Sequence, residues 1–295
     1  MRKFIFIVFI LSIMFIQANA REFNWPLKNP VFTSHFGESR YDHWHNGIDV
    51  VSARDNDIKA PQKGEVIYYH DEAESPFYDG FGAGNYLVVE HENNLRTIYY
   101  HLEQKSIIKN KNSVTTEDTL AVVGNSGRSF GAHLHLILYS TENDRILNPI
   151  DYFQRIPDTK PPVIKKILLK PPMSDAANIL KYRKVKKKSD YRVIVAVNDV
   201  REGPAYINAS TGVRNVELFI DDALIKKLSI DYLGLVDNKY CLNGERDLPF
   251  SRVYEAVYHI DLGGFIVTKD THKFRVITKD NGGNSTDQTV NVTFY

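Results

Sequence analysis

Short runs of apolar residues, many alternating with polar ones, recur along the chain. In the first half they fall at Glu65–Tyr69, Tyr86–Glu90, Arg96–His101, Leu120–Val123 and His133–Tyr139. A period of two marks a strand with one buried face. Turn formers separate the runs: Asp79-Gly80, Gly82 to Asn85, Asn93-Asn94 and Gly124 to Gly127. No long stretch keeps a helical period, so this half is expected to be an all-β domain built on an antiparallel β-sheet.

Asp158-Thr159-Lys160-Pro161-Pro162 has the stiffness of a linker. Beyond it the pattern predicts strands at Val163–Leu169, Tyr191–Val197, Val213–Ile220, Ala223–Leu228, Tyr254–Ile260, His272–Thr278 and Thr289–Phe294. Short strands at this density suit an immunoglobulin-like β-sandwich. Asp280-Asn281-Gly282-Gly283-Asn284 supplies a hairpin turn between the last two. The expected organisation is residues 1–20 as a signal peptide, 21–157 as the first domain and 158–295 as the second.

The leader rests on Arg2 and Lys3, an apolar stretch from Phe4 to Ile16 broken by Ser12, and the small-x-small site Ala18-Asn19-Ala20. An uncleaved anchor is the rival reading, but the stretch is short against the roughly 20 apolar residues of a membrane span. Export to the periplasm, cell envelope or medium follows, with no stable membrane insertion after cleavage. Loss of Arg2 and Lys3, with no acid removed, takes the net charge from +1 to −1. So balanced a chain is not drawn to nucleic acid by bulk charge. The 12% aromatic content suits β structure, and 43% hydrophobic with 25% charged residues excludes wholesale disorder. A single cysteine, Cys241, rules out a disulfide within the chain. It lies in a loop-like stretch far in sequence from the histidines and reads as structural or incidental. Nothing in the pattern sets an oligomeric state.

Three segments carry candidate chemistry: His45-Asn46-Gly47-Ile48-Asp49, Tyr99-Tyr100-His101-Leu102 and Gly131-Ala132-His133-Leu134-His135. Hydrolytic zinc sites commonly use three protein ligands drawn from His, Asp, Glu and Cys. If extended, His45 and Asp49 share a strand face, and so do His133 and His135. Two neutral histidines with one aspartate leave a zinc site with net positive charge. Such a centre acidifies water and polarises a carbonyl. Of the two remaining histidines, one can take a proton from water; the other can steady an oxyanion or protonate the leaving amine. Each segment alone is a weak signal.

Their order and glycine context are stronger. Ser34-His35-Phe36-Gly37 with Arg40 precedes His45-Asn46-Gly47-Ile48-Asp49-Val50. Ala60-Pro61 and Gly64-Glu65-Val66 follow, then Gly84-Asn85-Tyr86-Leu87-Val88-Val89-Glu90-His91. Gly124-Asn125-Ser126-Gly127 leads into the His-x-His, and Asn148-Pro149-Ile150-Asp151-Tyr152 closes the stretch. This set, from about Phe32 to Tyr152, resembles the M23 family of zinc metallopeptidases, of the lysostaphin and LytM type. The resemblance implies Zn2+ held by His45, Asp49 and His135, with His101 and His133 as the catalytic pair. It implies peptidoglycan stem peptides as the substrate of a metalloendopeptidase. The alternative is a non-catalytic cell-wall-binding regulator on the same fold, although degenerate members lack ligands and all five positions are filled here. Leu136-Ile137 departs from the family's usual aromatic residue and Glu after the His-x-His, which puts a supporting contact in doubt.

Several features have competing readings. The acids Asp71, Glu72, Glu74 and Asp79 read equally as a groove wall or a solvated loop, and His43 reads as a plain loop histidine. Lys181 to Lys188 carries six basic residues that fit a solvated loop or a grip on anionic polymer. Trp25 is expected to pack, whereas Trp44, beside His45, could pack or line a groove. Glu90 and His91 read as strand-end residues.

Overall fold

The structure is a computed structural model and describes residues 23–52, 55–74, 82–200 and 210–295. The leader and Asp79 lie outside these residues. The chain is nearly all β; among the described residues the only α-helix is the single turn Phe250–Val253. No helix among them is long and apolar enough to cross a membrane.

The larger sheet has ten strands. Along its main path lie Lys239–Leu242, Tyr232–Val236, Arg145–Leu147, Leu134–Ser140, Leu95–Leu102, Asn85–His91, Gly64–His70 and Ser113–Val114. Ile48–Ser52 joins at the N-terminal half of Leu134–Ser140, antiparallel, and itself pairs with Pro30–Ser34. Alternation explains the two faces. Leu134, Leu136 and Leu138 are fully buried on one side, with Leu87, Val89, Tyr99, Ile48 and Val50 in the same core. The opposite side of the same strands carries an apolar row, Val88, Ile98 and Ile137, with Tyr100, His135 and Asp49 beyond it.

Past residue 158 two further sheets form a β-sandwich. One runs through Val163–Lys170, Asp190–Val200 and His259–Ile266; the other through Ser285–Phe294, Thr271–Lys279, Asn215–Ile220 and Ala223–Ser229. Val193, Val195, Phe265, Phe274, Val276 and Val292 fill the space between, with Phe265 edge-on to Phe274 at 5.1 Å.

The structure differs from the sequence pattern at several points. The run expected at Tyr254–Ile260 is two strands, Tyr254–Ala256 and His259–Ile266, because Tyr258 takes a left-handed turn conformation (φ 58°). Cys241 is not in a loop: it is buried in the strand Lys239–Leu242. The hairpin from Tyr232 to Leu242, two apolar runs about Asp237-Asn238, is absent from the expected strands; it extends the larger sheet by pairing Tyr232–Gly234 with Arg145–Leu147. That sheet therefore draws strands from both sides of the proline-rich segment. The basic run splits: Lys184–Val185 adds a short parallel strand beside Thr293–Phe294, and the flanking lysines are exposed.

Leu233 is fully buried in that shared hairpin. Leu233→Ala is expected to cost about 2–5 kcal/mol through lost burial and the cavity left behind. Followed by urea denaturation, the two β units are expected to unfold in one shifted transition. Two separate transitions, with only one moved, would show that the shared sheet does not couple them.

Candidate metal centre and its cleft

The opposite face of the larger sheet sets three side chains in a row across three strands. Asp49 pairs in register with His135, and His135 with Tyr100. Each lies one position out of phase with a buried neighbour, so alternation alone turns them all the same way. Tyr100 stacks on the His135 ring at 5.4 Å with an 18° interplanar angle. His133 precedes the strand with the parity of His135, and its Nε2 lies 3.6 Å from Asp49 Oδ1.

His45 and His101 reach the same place by other means. His45 is not on a strand: Ile48–Ser52 begins three residues later. Its backbone is held by N–H donation to Glu38 O (2.8 Å) and acceptance from Gly37 N (2.8 Å). Gly47 lets the chain turn close beneath the site, since a Cβ there would lie 2.5 Å from Leu136 O and 2.8 Å from His135 Nε2. His101 follows buried Tyr99 by two, so unbroken alternation would aim it into the core. Its φ of 63° breaks the alternation and brings the ring within 4.9 Å of His133 and 6.0 Å of His135. Left-handed backbone at a histidine is a strained choice that its surroundings must hold. Here His101 N donates to Ala83 O and Gly124 N donates to His101 O, both at 3.0 Å.

The inward-facing atoms converge. Asp49 Oδ1 is 3.0 Å from His45 Nε2 and 2.8 Å from His135 Nδ1, and the two nitrogens are 3.0 Å apart. Among the described residues this trio is one of two groups close enough to share a metal ion; the other is Asp158, Asp199 and Asp280.

The outward-facing atoms decide the tautomers. His45 donates from Nδ1 to His35 O (2.7 Å), and His135 from Nε2 to the Asn46 side-chain oxygen (3.1 Å). His101 donates from Nδ1 to Ser126 O and His133 from Nδ1 to Gly131 O, each at 2.8 Å. A neutral imidazole that gives its proton outward presents a lone pair inward. All four rings therefore face the cleft as bases. Two nitrogens and a carboxylate oxygen, each backed by an outer hydrogen bond, make a donor set suited to a divalent metal.

Charge follows the same logic. Burial pushes His135 down to about 4 and lowers His101 as well, so both are neutral at pH 7. Asp49 Oδ2 also accepts from Arg40 Nη2 at 2.7 Å.

The centre opens into a cleft of about 1210 Å³ with walls from both β units. Arg128, Phe130 and Ala132 lie on the side of the paired histidines; Lys239, Tyr240 and Phe250 come from beyond residue 158. Trp44 does both things open to it: it is buried, and it lines the cleft. Its Nε1 donates to Tyr240 O (2.9 Å), and its ring meets Phe250 and Tyr254, each at 5.5 Å.

Residues 43–149 match the family model described as peptidase family M23. The chain carries an M23 peptidase domain. A separate family model covers residues 161–295. Over 106 residues the chain is 33% identical to an uncharacterized metalloprotease of Haemophilus influenzae, covering 36% of this chain and 20% of that protein. Over 91 residues it is 34% identical to the peptidoglycan DD-endopeptidase ShyB of Vibrio cholerae, covering 31% and 19%. It thus spans about a fifth of the length of these curated relatives. A zinc-containing peptidase from Vibrio cholerae of known structure is 29% identical, with 43% of this chain and 39% of that one covered and a TM-score of 0.36.

The M23 domain brings together all five histidine and aspartate positions singled out from sequence: His45, Asp49, His101, His133 and His135. His43 stays exposed and pairs with Asp42 at 2.6 Å. Asp71 is buried and accepts from Lys105 N and Lys109, an internal structural role. Trp25 packs on Phe153 and Phe32. His91 is buried and bonded to Thr97, and Glu90 pairs with Arg96. Ile137 is buried in the core cluster. Sequence reasoning missed Glu38, which is 2% exposed. An acid between glycine and serine carries no signal of burial.

His135, His101 and His91 are each lowered by burial. A base with a depressed folded-state pKa leaves the unfolded chain binding more protons, so stability falls as pH drops below the unfolded value. Metal-free protein is expected to lose urea resistance between pH 6.5 and about 4, with His135 contributing roughly 1 kcal/mol per pH unit. His135→Asn should flatten that slope. An unchanged slope would mean that His135 is not held neutral.

Proposed function

We propose that the chain is an exported zinc metalloendopeptidase acting on the peptide cross-links of bacterial peptidoglycan. The observation that carries this reading is the set of four imidazoles, each donating outward and presenting a base to one centre beside Asp49. The similarity to peptidoglycan DD-endopeptidases supports the substrate class. The charged start, apolar run and Ala18-Asn19-Ala20 support export.

His45 Nε2, Asp49 Oδ1 and His135 Nδ1 would hold the zinc. The ion, when bound, supplies Lewis acidity toward water and the scissile carbonyl. The chain's own groups do the rest. Arg40 neutralises the outer oxygen of Asp49 and fixes its rotamer. Tyr100 covers one face of His135 and excludes water from it. His101 and His133, both fixed as the Nδ1–H tautomer, offer Nε2 lone pairs. One takes the proton of the attacking water; the other, once protonated, faces the developing oxyanion or the leaving amine. Peptide lying in the cleft touches walls from both units.

The test is digestion of purified peptidoglycan by zinc-loaded protein, with released fragments identified by mass spectrometry. Wild type is expected to cleave, chelator to stop it and added zinc to restore it. His133→Ala and His101→Ala are expected to keep zinc but lose about 10²–10⁴-fold in kcat. Zinc binding without any cleavage would assign the chain to wall binding and regulation instead.

A further inference from the structure

Glu38 is buried at the junction between the M23 domain and the sandwich. Its Oε1 accepts two backbone N–H groups: His35 N at 2.5 Å and, from the sandwich, Gly212 N at 2.6 Å. Its Oε2 accepts the Ser34 hydroxyl and lies 3.8 Å from Arg40 Nη1. From there two routes reach the centre. Ser34 Oγ accepts from Arg40 Nη2 (2.8 Å), the same nitrogen that donates to Asp49 Oδ2. His35, whose N–H Glu38 holds, accepts the outer proton of His45 on its carbonyl. One carboxylate thus organises the groups that orient two of the three candidate metal ligands. Its fourth contact comes from another β unit.

We propose that Glu38 is a positioning residue for the metal centre and that the sandwich, through Gly212, is a built-in part of that centre. This inference rests on the metal-binding reading of His45, Asp49 and His135. It makes the second unit more than a detachable wall-binding module. Two neighbouring bonds hold the same segment: Tyr254 OH donates to Gly37 O and Trp44 Nε1 to Tyr240 O, each at 2.9 Å. A buried carboxylate needs its donors, since losing one leaves charge uncompensated. The donor from the sandwich is a backbone amide, so its distance depends on how the two units sit.

Gly212 offers a clean perturbation. A Cβ there would lie 2.6 Å from Glu38 Cγ, and the glycine is not in the left-handed region. Gly212→Ala therefore pushes Glu38 from the sandwich side without changing any residue of the first unit. Two quantities are read on the full chain. One is zinc affinity, by competition with a chromogenic chelator. The other is the His45 tautomer in metal-free protein, from imidazole ¹⁵N chemical shifts. Gly212→Ala and Glu38→Ala are each expected to weaken zinc binding about tenfold or more, the usual effect of losing a partner that orients a ligand. Glu38→Gln, which keeps an acceptor for both amides but turns a donor toward Ser34 and Arg40, is expected to fall between wild type and Glu38→Ala. In the double variant the second change should add little, because both act through one carboxylate.

In metal-free wild type, His45 is expected as a single Nδ1–H tautomer, becoming a mixture in Glu38→Ala. Thermal unfolding of each variant separates a misplaced ligand from an unfolded chain. Folded Glu38→Ala and Gly212→Ala proteins with wild-type zinc affinity and an unchanged tautomer would overturn the proposal. Wild type that binds zinc with the expected coupling but cleaves no wall peptide would sink the enzymatic reading alone.

Discussion

Everything at the cleft depends on where four imidazole protons point. Asp49 Oδ1 sits within 3.0 Å of two ring nitrogens that lie 3.0 Å from each other. Bare lone pairs so close repel, and the cluster is held only because each ring is tethered on its far side. The tethers are His35 O, Asn46 Oδ1, Ser126 O and Gly131 O, three of them backbone carbonyls. The loops that supply these oxygens are therefore as much a part of the centre as the ligands. Close backbone packing makes the loops possible. A Cβ at Gly84 would collide with the Ser126 carbonyl carbon at 2.4 Å, which is why the segment delivering Ser126 O runs against a glycine.

The sequence made part of this arrangement legible. Strand periodicity put His133 and His135 on one face, whereas the position of Asp49 opposite His135 comes from the pairing register of the two strands. Periodicity failed for His45 and His101: the expected shared strand face of His45 and Asp49 does not exist, because the strand begins only at Ile48, and His101 breaks the alternation. His45 reaches the centre from a turn, and His101 from a left-handed backbone that cancels the alternation placing Tyr99 in the core. The ordered motif set singled out both residues without depending on their backbone geometry. Glu38 was invisible for a different reason. Its burial depends on Gly212, more than 170 positions away, and no local pattern encodes so distant a partner.

The second β unit was legible as a sandwich but not as a neighbour of the cleft. Its hairpin at Tyr232–Leu242 has local signals, apolar runs about an Asp237-Asn238 turn, but its place beside the cleft comes from pairing with Arg145–Leu147, which no local pattern encodes. Arg214 bonds Asp151, and Asn148 bonds the backbone at Ile230 and Asp231, so the closing segment of the M23 match is gripped from the far side. Such contacts fix the wall formed by Lys239, Tyr240 and Phe250 relative to the histidines. A cleft with walls from two units gains shape selectivity only if their relation is rigid, and continuous sheet hydrogen bonding provides that rigidity.

The central claim is that His45, Asp49 and His135 form one metal site with an open side toward His101 and His133. X-ray absorption spectroscopy of the full chain loaded with one equivalent of zinc tests it most directly, with the same measurement on Asp49→Ala. The account predicts two imidazole nitrogens at about 2.0–2.1 Å, carboxylate oxygen in the first coordination sphere and at least one exchangeable light-atom ligand, with the carboxylate lost in the variant. A spectrum with no histidine scattering, or one that Asp49→Ala leaves unchanged, would contradict it.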